Sequence, residues 1–109
     1  MALYVVAYPR FAAADARWIE DLRRRHDPQA ERLAAHVTLV FAARGVAVAE
    51  AADHLRAVAA AAPPFAVHFT EVALRRDHDG AACYAYLLPA RGGDVLRALY
   101  AALNQGPFA

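Results

Sequence analysis

The chain has 109 residues, twelve basic and eleven acidic side chains, and a formal net charge of +1 at pH 7. This length allows one domain at most, which buries roughly 65% of the surface of the unfolded chain. No apolar stretch reaches the ~20 residues of a membrane-spanning helix, and so small a net charge gives no strong steering toward nucleic acid.

The first part of the chain predicts a strand and then a helix. Residues 3–8 are rich in β-branched and aromatic side chains, and Pro9 ends this strand. The segment has neither a basic leader nor a cleavage site, so a signal peptide is not expected. Asp15 is a candidate cap for a helix that continues to about His26. The predicted buried side of this helix consists of Trp18, Ile19 and Leu22.

The next segment, residues 36–41, reads His-Val-Thr-Leu-Val-Phe and alternates like a strand. Side chains of a strand point to opposite faces with period two. One predicted face therefore carries His36, Thr38 and Val40. The other, which is expected to pack against helices, carries Val37, Leu39 and Phe41. The imidazole and the hydroxyl then face a cleft or water, where one can move a proton and the other can hydrogen-bond an oxyanion.

The second half of the chain predicts helix, strand, strand and helix. Apolar residues at helical spacing begin at Val48, and Pro63-Pro64 ends this helix. Asp79-Gly80 is a hairpin turn signal that leads into a strand over residues 83–88. Gly92-Gly93-Asp94 opens the last helix. The strand before the hairpin has a predicted buried set of Phe65, Val67 and Phe69. No linker or low-complexity tract interrupts this order, which predicts one α+β domain over residues 1–109.

Two features of composition carry further expectations. Cys83 is the only cysteine, so no intramolecular disulfide can form, and a reducing, cytoplasmic location is expected. Every basic residue is arginine, which has a planar fork suited to phosphate but is also what a GC-rich genome encodes. The run Arg23-Arg24-Arg25 is interpreted as part of a solvated helix face.

A weak internal repeat is present. A strand with tyrosines at positions 4 and 8, a helix and the His36 strand form the first copy. The second copy begins with Tyr84 and Tyr86 on a strand, followed by a helix, and stops at Ala109. A strand equivalent to residues 36–38 is expected to come next. The strands that bear the four tyrosines are expected to flank the His36 strand.

The chain resembles the two-histidine (2H) phosphoesterases, which include the bacterial 2′-5′ RNA ligase family and RNA 2′,3′-cyclic phosphodiesterases. Residues 36–41 match the family's His-x-Thr-hydrophobic signature, and the likeness extends over residues 18–28, 64–69 and 83–87. The family fold has two antiparallel-sheet lobes facing each other across a cleft, with helices on the outer faces. The resemblance therefore implies a complete first lobe here and a partial second lobe, with the chain ending before a second His-x-Thr motif.

The resemblance implies hydrolysis of RNA 2′,3′-cyclic phosphate ends or chemistry at 2′-5′ linkages. Such a reaction is an in-line displacement at phosphorus, which needs a proton acceptor on one side and a proton donor on the other. Histidine suits both roles because its ordinary pKa of about 6.5 leaves both forms accessible near neutrality. His36 is implied as one acid/base and Thr38 as the phosphate ligand. RNA ends or cyclic nucleotides are the expected partners, with no metal, cofactor, membrane or obligate protein partner.

Further candidate residues accompany this pair. Arg75 and Arg76 are candidates to contact RNA phosphate, while Tyr84 and Tyr86 either stack on a base or pack. His68-Phe69-Thr70 is a second His-x-Thr, interpreted as a polar pair facing solvent or a cleft because Glu71 breaks the signature. His78, in the predicted turn, is interpreted as solvated rather than metal-bound.

Two functions of other classes remain open. A non-catalytic RNA- or nucleotide-binding module would keep the cleft without turnover. A ferredoxin-like dimerising or ligand-sensing domain would instead cover the face bearing His36 and Thr38 with a partner chain.

Overall fold

The computed structural model describes residues 1–76 and 83–109. The order of elements predicted from the sequence is confirmed over these residues, with a short 3₁₀ helix added after the last α-helix. In chain order they are β1 (Ala2–Ala7), α1 (Ala13–His26), β2 (Val37–Arg44), α2 (Val48–Ala61), β3 (His68–Arg76), β4 (Cys83–Arg91), α3 (Gly93–Leu103) and the 3₁₀ helix (Gly106–Phe108).

The strands form two separate antiparallel pairs, β1 with β2 and β3 with β4. The fold is therefore α+β, as predicted. The arrangement of the tyrosines differs from the prediction. β1, with Tyr4, does lie beside β2, but among the described strands β4 pairs with β3 alone, so Tyr84 and Tyr86 lie on a sheet other than that of Thr38. Sequence periodicity predicts strands but not their partners, which depend on tertiary contacts.

The hydrophobic core lies between the β1–β2 sheet and the two helices α2 and α3. The buried members are Leu39, Val40, Ala51, Leu103 and Phe108, and the inner side of β1 packs against them through Leu3, Val5 and Ala7. The side-chain amide of Asn104 joins α3 to β2, because it donates to the carbonyls of Leu39 and Tyr100, each at 2.8 Å. This core packs against one face of the β1–β2 sheet and leaves the opposite face open.

Helix α1 packs away from that core. Ile19 is buried, as predicted, but Trp18 is 57% and Leu22 is 41% exposed, so their predicted burial is wrong. The side of α1 that bears Ile19 and Glu20 faces the segments around Tyr8 and Ala35, which turns the other two residues toward solvent. Asp15 lies in the first turn, where a carboxylate favours the helix dipole, while Ala12 occupies the cap position.

The strand predicted to begin near Phe65 begins instead at His68. The preceding residues approach the chain at Gly92 so closely that a Cβ there would collide with the carbonyl oxygen of Ala66. Gly92 also has a φ of +84, a conformation that glycine adopts without strain. Ala66 and Val67 therefore pack against the β4–α3 turn and do not join the β3–β4 ladder.

Candidate catalytic site at the start of the second strand

Strand β2 contains two bulges that break its alternation. Along the ladder Leu3 pairs with Ala43, Val5 with Val40, and Val6 with Thr38. Between the first and second of these pairs, and again between the second and third, β2 has one residue more than β1. Ala42, within the first interval, has a φ of 52, which a residue with a Cβ seldom adopts. Each inserted residue moves the following side chains to the opposite face.

The bulges rearrange the faces predicted for this strand. Leu39 is buried, as predicted, and Thr38 is exposed, as predicted. Val40, however, is only 2% exposed and lies in the core, while Phe41 is 77% exposed. The predicted orientations of Val40 and Phe41 are therefore wrong, because a strict period of two does not hold through a bulge.

Thr38 lies on the open face of the β1–β2 sheet. Its partner in the ladder is Val6, which alternates along β1 with the inward-facing residues Leu3, Val5 and Ala7. Residues directly opposite each other in an antiparallel pair share a face. The hydroxyl of Thr38 is thus presented on the same face as the exposed rings of Tyr4 and Tyr8.

His36 immediately precedes β2 and is half-buried, outside the hydrophobic core. Its Nδ1 lies 2.8 Å from the backbone carbonyl oxygen of Ala34. Because a carbonyl oxygen only accepts, Nδ1 must carry the hydrogen in this contact. In the neutral ring the lone pair then resides on Nε2, which is the atom available to receive a proton.

Two cavities border the residues on either side of His36. A groove of about 600 Å³ is lined in part by Val37, together with Tyr8, Arg10 and His68. A smaller cavity of about 220 Å³ is lined in part by Ala35, beside Phe11 and Ile19. Among the described residues that line the larger groove, the groups able to carry positive charge are Arg10 and His68, and none is acidic. The groove is therefore suited to an anionic ligand with apolar parts.

The second His-x-Thr of the chain, His68-Phe69-Thr70, borders this groove, whereas His36 and Thr38 do not line it. His68 lines it at the start of β3, and Thr70 is exposed, which agrees with their interpretation as a polar pair facing a cleft or solvent. Phe69 lines the groove with its ring 6.1 Å from that of Phe11. Phe65 is 36% exposed, so the predicted buried set of this segment lines a groove and not the core.

The predicted substrate-binding residues lie on the other sheet. Arg75 and Tyr84 are directly opposite each other in the β3–β4 register, and Arg76 pairs with Cys83. The side chains of Arg75, Arg76 and Tyr84 lie outside the described part of the structure, as do His78 and the predicted turn at Asp79-Gly80. Tyr86 is 48% exposed on β4, opposite Ala73.

One residue near the site has a role that the sequence reading missed. Arg23 was interpreted as part of a solvated basic face, but its side chain is only 13% exposed and contacts Glu20 and Asp27. The available signal was spacing, since carboxylates three residues before and four after an arginine lie on the same side of a helix. The neighbouring Arg24 is 65% exposed, as interpreted.

Among the side chains that the structure describes, no three of His, Cys, Asp and Glu converge as metal ligands would. None of the helices in the described ranges has the length and apolar character needed to cross a membrane.

Comparison with known proteins identifies one family. A family model described as the 2′-5′ RNA ligase superfamily matches residues 11–108. No curated protein and no solved structure matches the chain. The matched range includes α1, the segment with His36 and Thr38, strands β2 to β4 and helices α2 and α3, and it leaves out β1.

Proposed function

Because this chain belongs to the 2′-5′ RNA ligase superfamily of 2H phosphoesterases, we propose that it acts on RNA 2′,3′-cyclic phosphate ends or 2′-5′ linkages, with His36 as an acid/base and Thr38 as a phosphate ligand. One observation carries the proposal. The bond from His36 Nδ1 to the Ala34 carbonyl leaves Nε2 as the proton acceptor, two residues before a hydroxyl exposed on an open face.

The proposed reaction divides between these two groups. His36 Nε2 removes a proton from an attacking water or hydroxyl, or in the reverse direction returns one to the departing oxygen. Such a transfer typically contributes ~10²–10⁴ to the rate. The Thr38 hydroxyl donates a hydrogen bond to a non-bridging phosphate oxygen as negative charge accumulates there. The complementary transfer on the far side of phosphorus is assigned, in this proposal, to the family's other His-x-Thr motif, and not to His68-Phe69-Thr70.

Surface features around the pair suit an RNA substrate. The exposed rings of Tyr4 and Tyr8, on the same face as the threonine hydroxyl, provide aromatic surfaces on which bases stack. The groove is lined by Val37, which lies between His36 and Thr38 in the chain, and not by the pair itself; it combines aromatic lining with Arg10 and His68. Arginine and histidine cations attract phosphate, whereas carboxylates would repel it.

The direct test compares two histidine variants in hydrolysis of a nucleoside 2′,3′-cyclic phosphate. His36→Gln removes the proton acceptor and is expected to lower kcat by about 10²-fold or more. His26→Gln is the matched control, because His26 is exposed in the last turn of α1 and is expected to retain full activity. Undiminished turnover by His36→Gln would refute the assignment.

A binding measurement separates the enzyme from the alternative binding module. If the natural protein binds an RNA oligonucleotide with a 2′,3′-cyclic end but leaves that end intact, the site serves recognition alone. Formation of a 2′- or 3′-phosphate product supports the enzyme. A dimer in solution that protects Thr38 from solvent would favour the dimerising alternative.

A further inference from the structure

Among the arginines of α1 with an observed ion pair, Arg23 has the least exposed side chain. Its Nη1 donates to both carboxylate oxygens of Glu20, at 3.1 and 3.2 Å, and its Nε donates to Asp27 at 3.2 Å. Its Nη2 donates to the backbone carbonyl of Leu33, ten residues along the chain. A guanidinium removed from water needs acceptors for its donors, and here they include a backbone group of the segment before His36.

Glu20 makes a second connection to the same segment. Its Oε1 accepts a hydrogen bond from the backbone N–H of Ala35 at 3.4 Å. Arg23 and Glu20 therefore bind the backbone on both sides of Ala34. The carbonyl of Ala34 is the group that accepts from His36 Nδ1. Residues 33–36 belong to no helix or strand; the Leu33 N–H donates to the Gln29 carbonyl at 3.0 Å, and the side chains of Arg23 and Glu20 hold the Leu33 carbonyl and the Ala35 N–H.

We propose that Arg23 and Glu20 are positioning residues, which hold the backbone around Ala34 so that its carbonyl selects the Nδ1–H tautomer of His36. The inference rests on the proposed function, since it explains how Nε2 of His36 stays available as the proton acceptor. It concerns the geometry of the ring, however, which can be measured without turnover. Neither residue touches the substrate in this scheme.

The network has a clear consequence for the imidazole. If Arg23 is replaced, the Glu20 carboxylate loses its cationic partner and the Leu33 carbonyl loses its hydrogen-bond donor. The backbone of the segment before β2 then becomes more mobile. The Ala34 carbonyl then no longer faces Nδ1 in every molecule. A ring without a fixed acceptor exchanges between tautomers, and only one of them presents a lone pair at Nε2.

The test is nitrogen-15 NMR of the His36 ring in the natural chain and in two arginine variants. The natural chain and Arg24→Met are expected to show the Nδ1–H tautomer, because Arg24 is exposed and its ion pair is with exposed Asp21, at 3.6 Å. Arg23→Met is expected to show a mixture of both tautomers in the folded protein. An unchanged tautomer in folded Arg23→Met, or an equal change in Arg24→Met, overturns the proposal.

A glutamate series provides a second route if Arg23→Met does not fold. Glu20→Gln keeps an oxygen that accepts from Ala35, whereas Glu20→Ala does not. The tautomer is therefore expected to stay closer to the natural one in Glu20→Gln than in Glu20→Ala. Equal, natural-like spectra for both variants overturn the proposal, since a purely structural ion pair would lower stability without changing the ring.

Turnover adds an independent readout. Arg23→Met is expected to lower kcat by about 10²-fold with little change in KM, because a small displacement of a catalytic group has an effect of this size. If the natural protein shows the Arg23-dependent tautomer but no phosphoesterase activity, the proposed function fails while the positioning network stands. If activity is present but Arg23→Met leaves both kcat and the tautomer unchanged, the network proposal alone fails.

Discussion

The rings of Tyr4 and Phe41 meet edge to face on the open side of the β1–β2 sheet, with centroids 5.3 Å apart and planes at 85°. Both side chains are exposed, Phe41 to 77%. A contact of this geometry contributes about 0.5–1.5 kcal/mol beyond simple burial. It stabilises the bulged form of β2, in which Phe41 leaves the core side and joins the face of Thr38.

The bulge predicts unequal effects for two neighbouring alanine substitutions. Phe41→Ala is expected to lower the free energy of unfolding by about 1 kcal/mol, the value of the exposed ring pair. Leu39→Ala, at a residue 6% exposed, is expected to cost about 2–5 kcal/mol. Urea unfolding of both variants measures the difference. If Phe41→Ala proves as costly as Leu39→Ala, Phe41 is a core residue and the bulges are misplaced.

The positive φ of Ala42 predicts that a glycine at this position stabilises the fold. Ala42→Gly relieves a conformation that costs roughly 1 kcal/mol for a residue with a Cβ, and the melting temperature is expected to rise. Ala43→Gly is the control, because Ala43 continues the regular strand and glycine there is expected to destabilise by about 0.5–1 kcal/mol. A fall in melting temperature for both variants would contradict the strain at Ala42.

Thr38 allows a test of the hydroxyl without loss of volume. Thr38→Val is expected to fold normally, because the side chain is exposed, and to lower kcat by about 10²-fold, as for loss of one oxyanion donor. Thr38→Ser keeps the donor and is expected to retain most of the activity. Steady-state kinetics on a nucleoside 2′,3′-cyclic phosphate measure both. Equal activity in the valine and serine variants would remove Thr38 from the phosphate site.

Asn104 predicts a stability effect that is separate from the site. Asn104→Ala removes the donor for the Leu39 and Tyr100 carbonyls and is expected to lower the free energy of unfolding by about 1–3 kcal/mol. Gln105→Ala, at the exposed next residue, is the control and is expected to change stability little. Chemical denaturation compares the two. Equal stability would show that the amide does not join α3 to β2.

Local patterns predicted the order of the elements. Helical spacing from Val48 and the pair Pro63-Pro64 located α2, whose last residue is Ala61, because proline disfavours helix in the residue before it. The alternating segment after His36 located β2, although the strand starts one residue later, at Val37. The His-x-Thr motif also identified the candidate pair directly, since that signature is contained in adjacent residues.

Burial and partnership, in contrast, were decided by contacts between distant parts of the chain. Trp18 was expected to be buried but faces solvent, and Arg23 was expected to face solvent but lies against the segment before His36. Both differences arise because α1 faces that segment and not the core. Phe41 turns outward because β1 pairs with a bulged β2. A propensity or a period depends on a few neighbouring residues and is readable along the chain. The face that a side chain finally occupies depends on what packs against it, which exists only once the chain has folded.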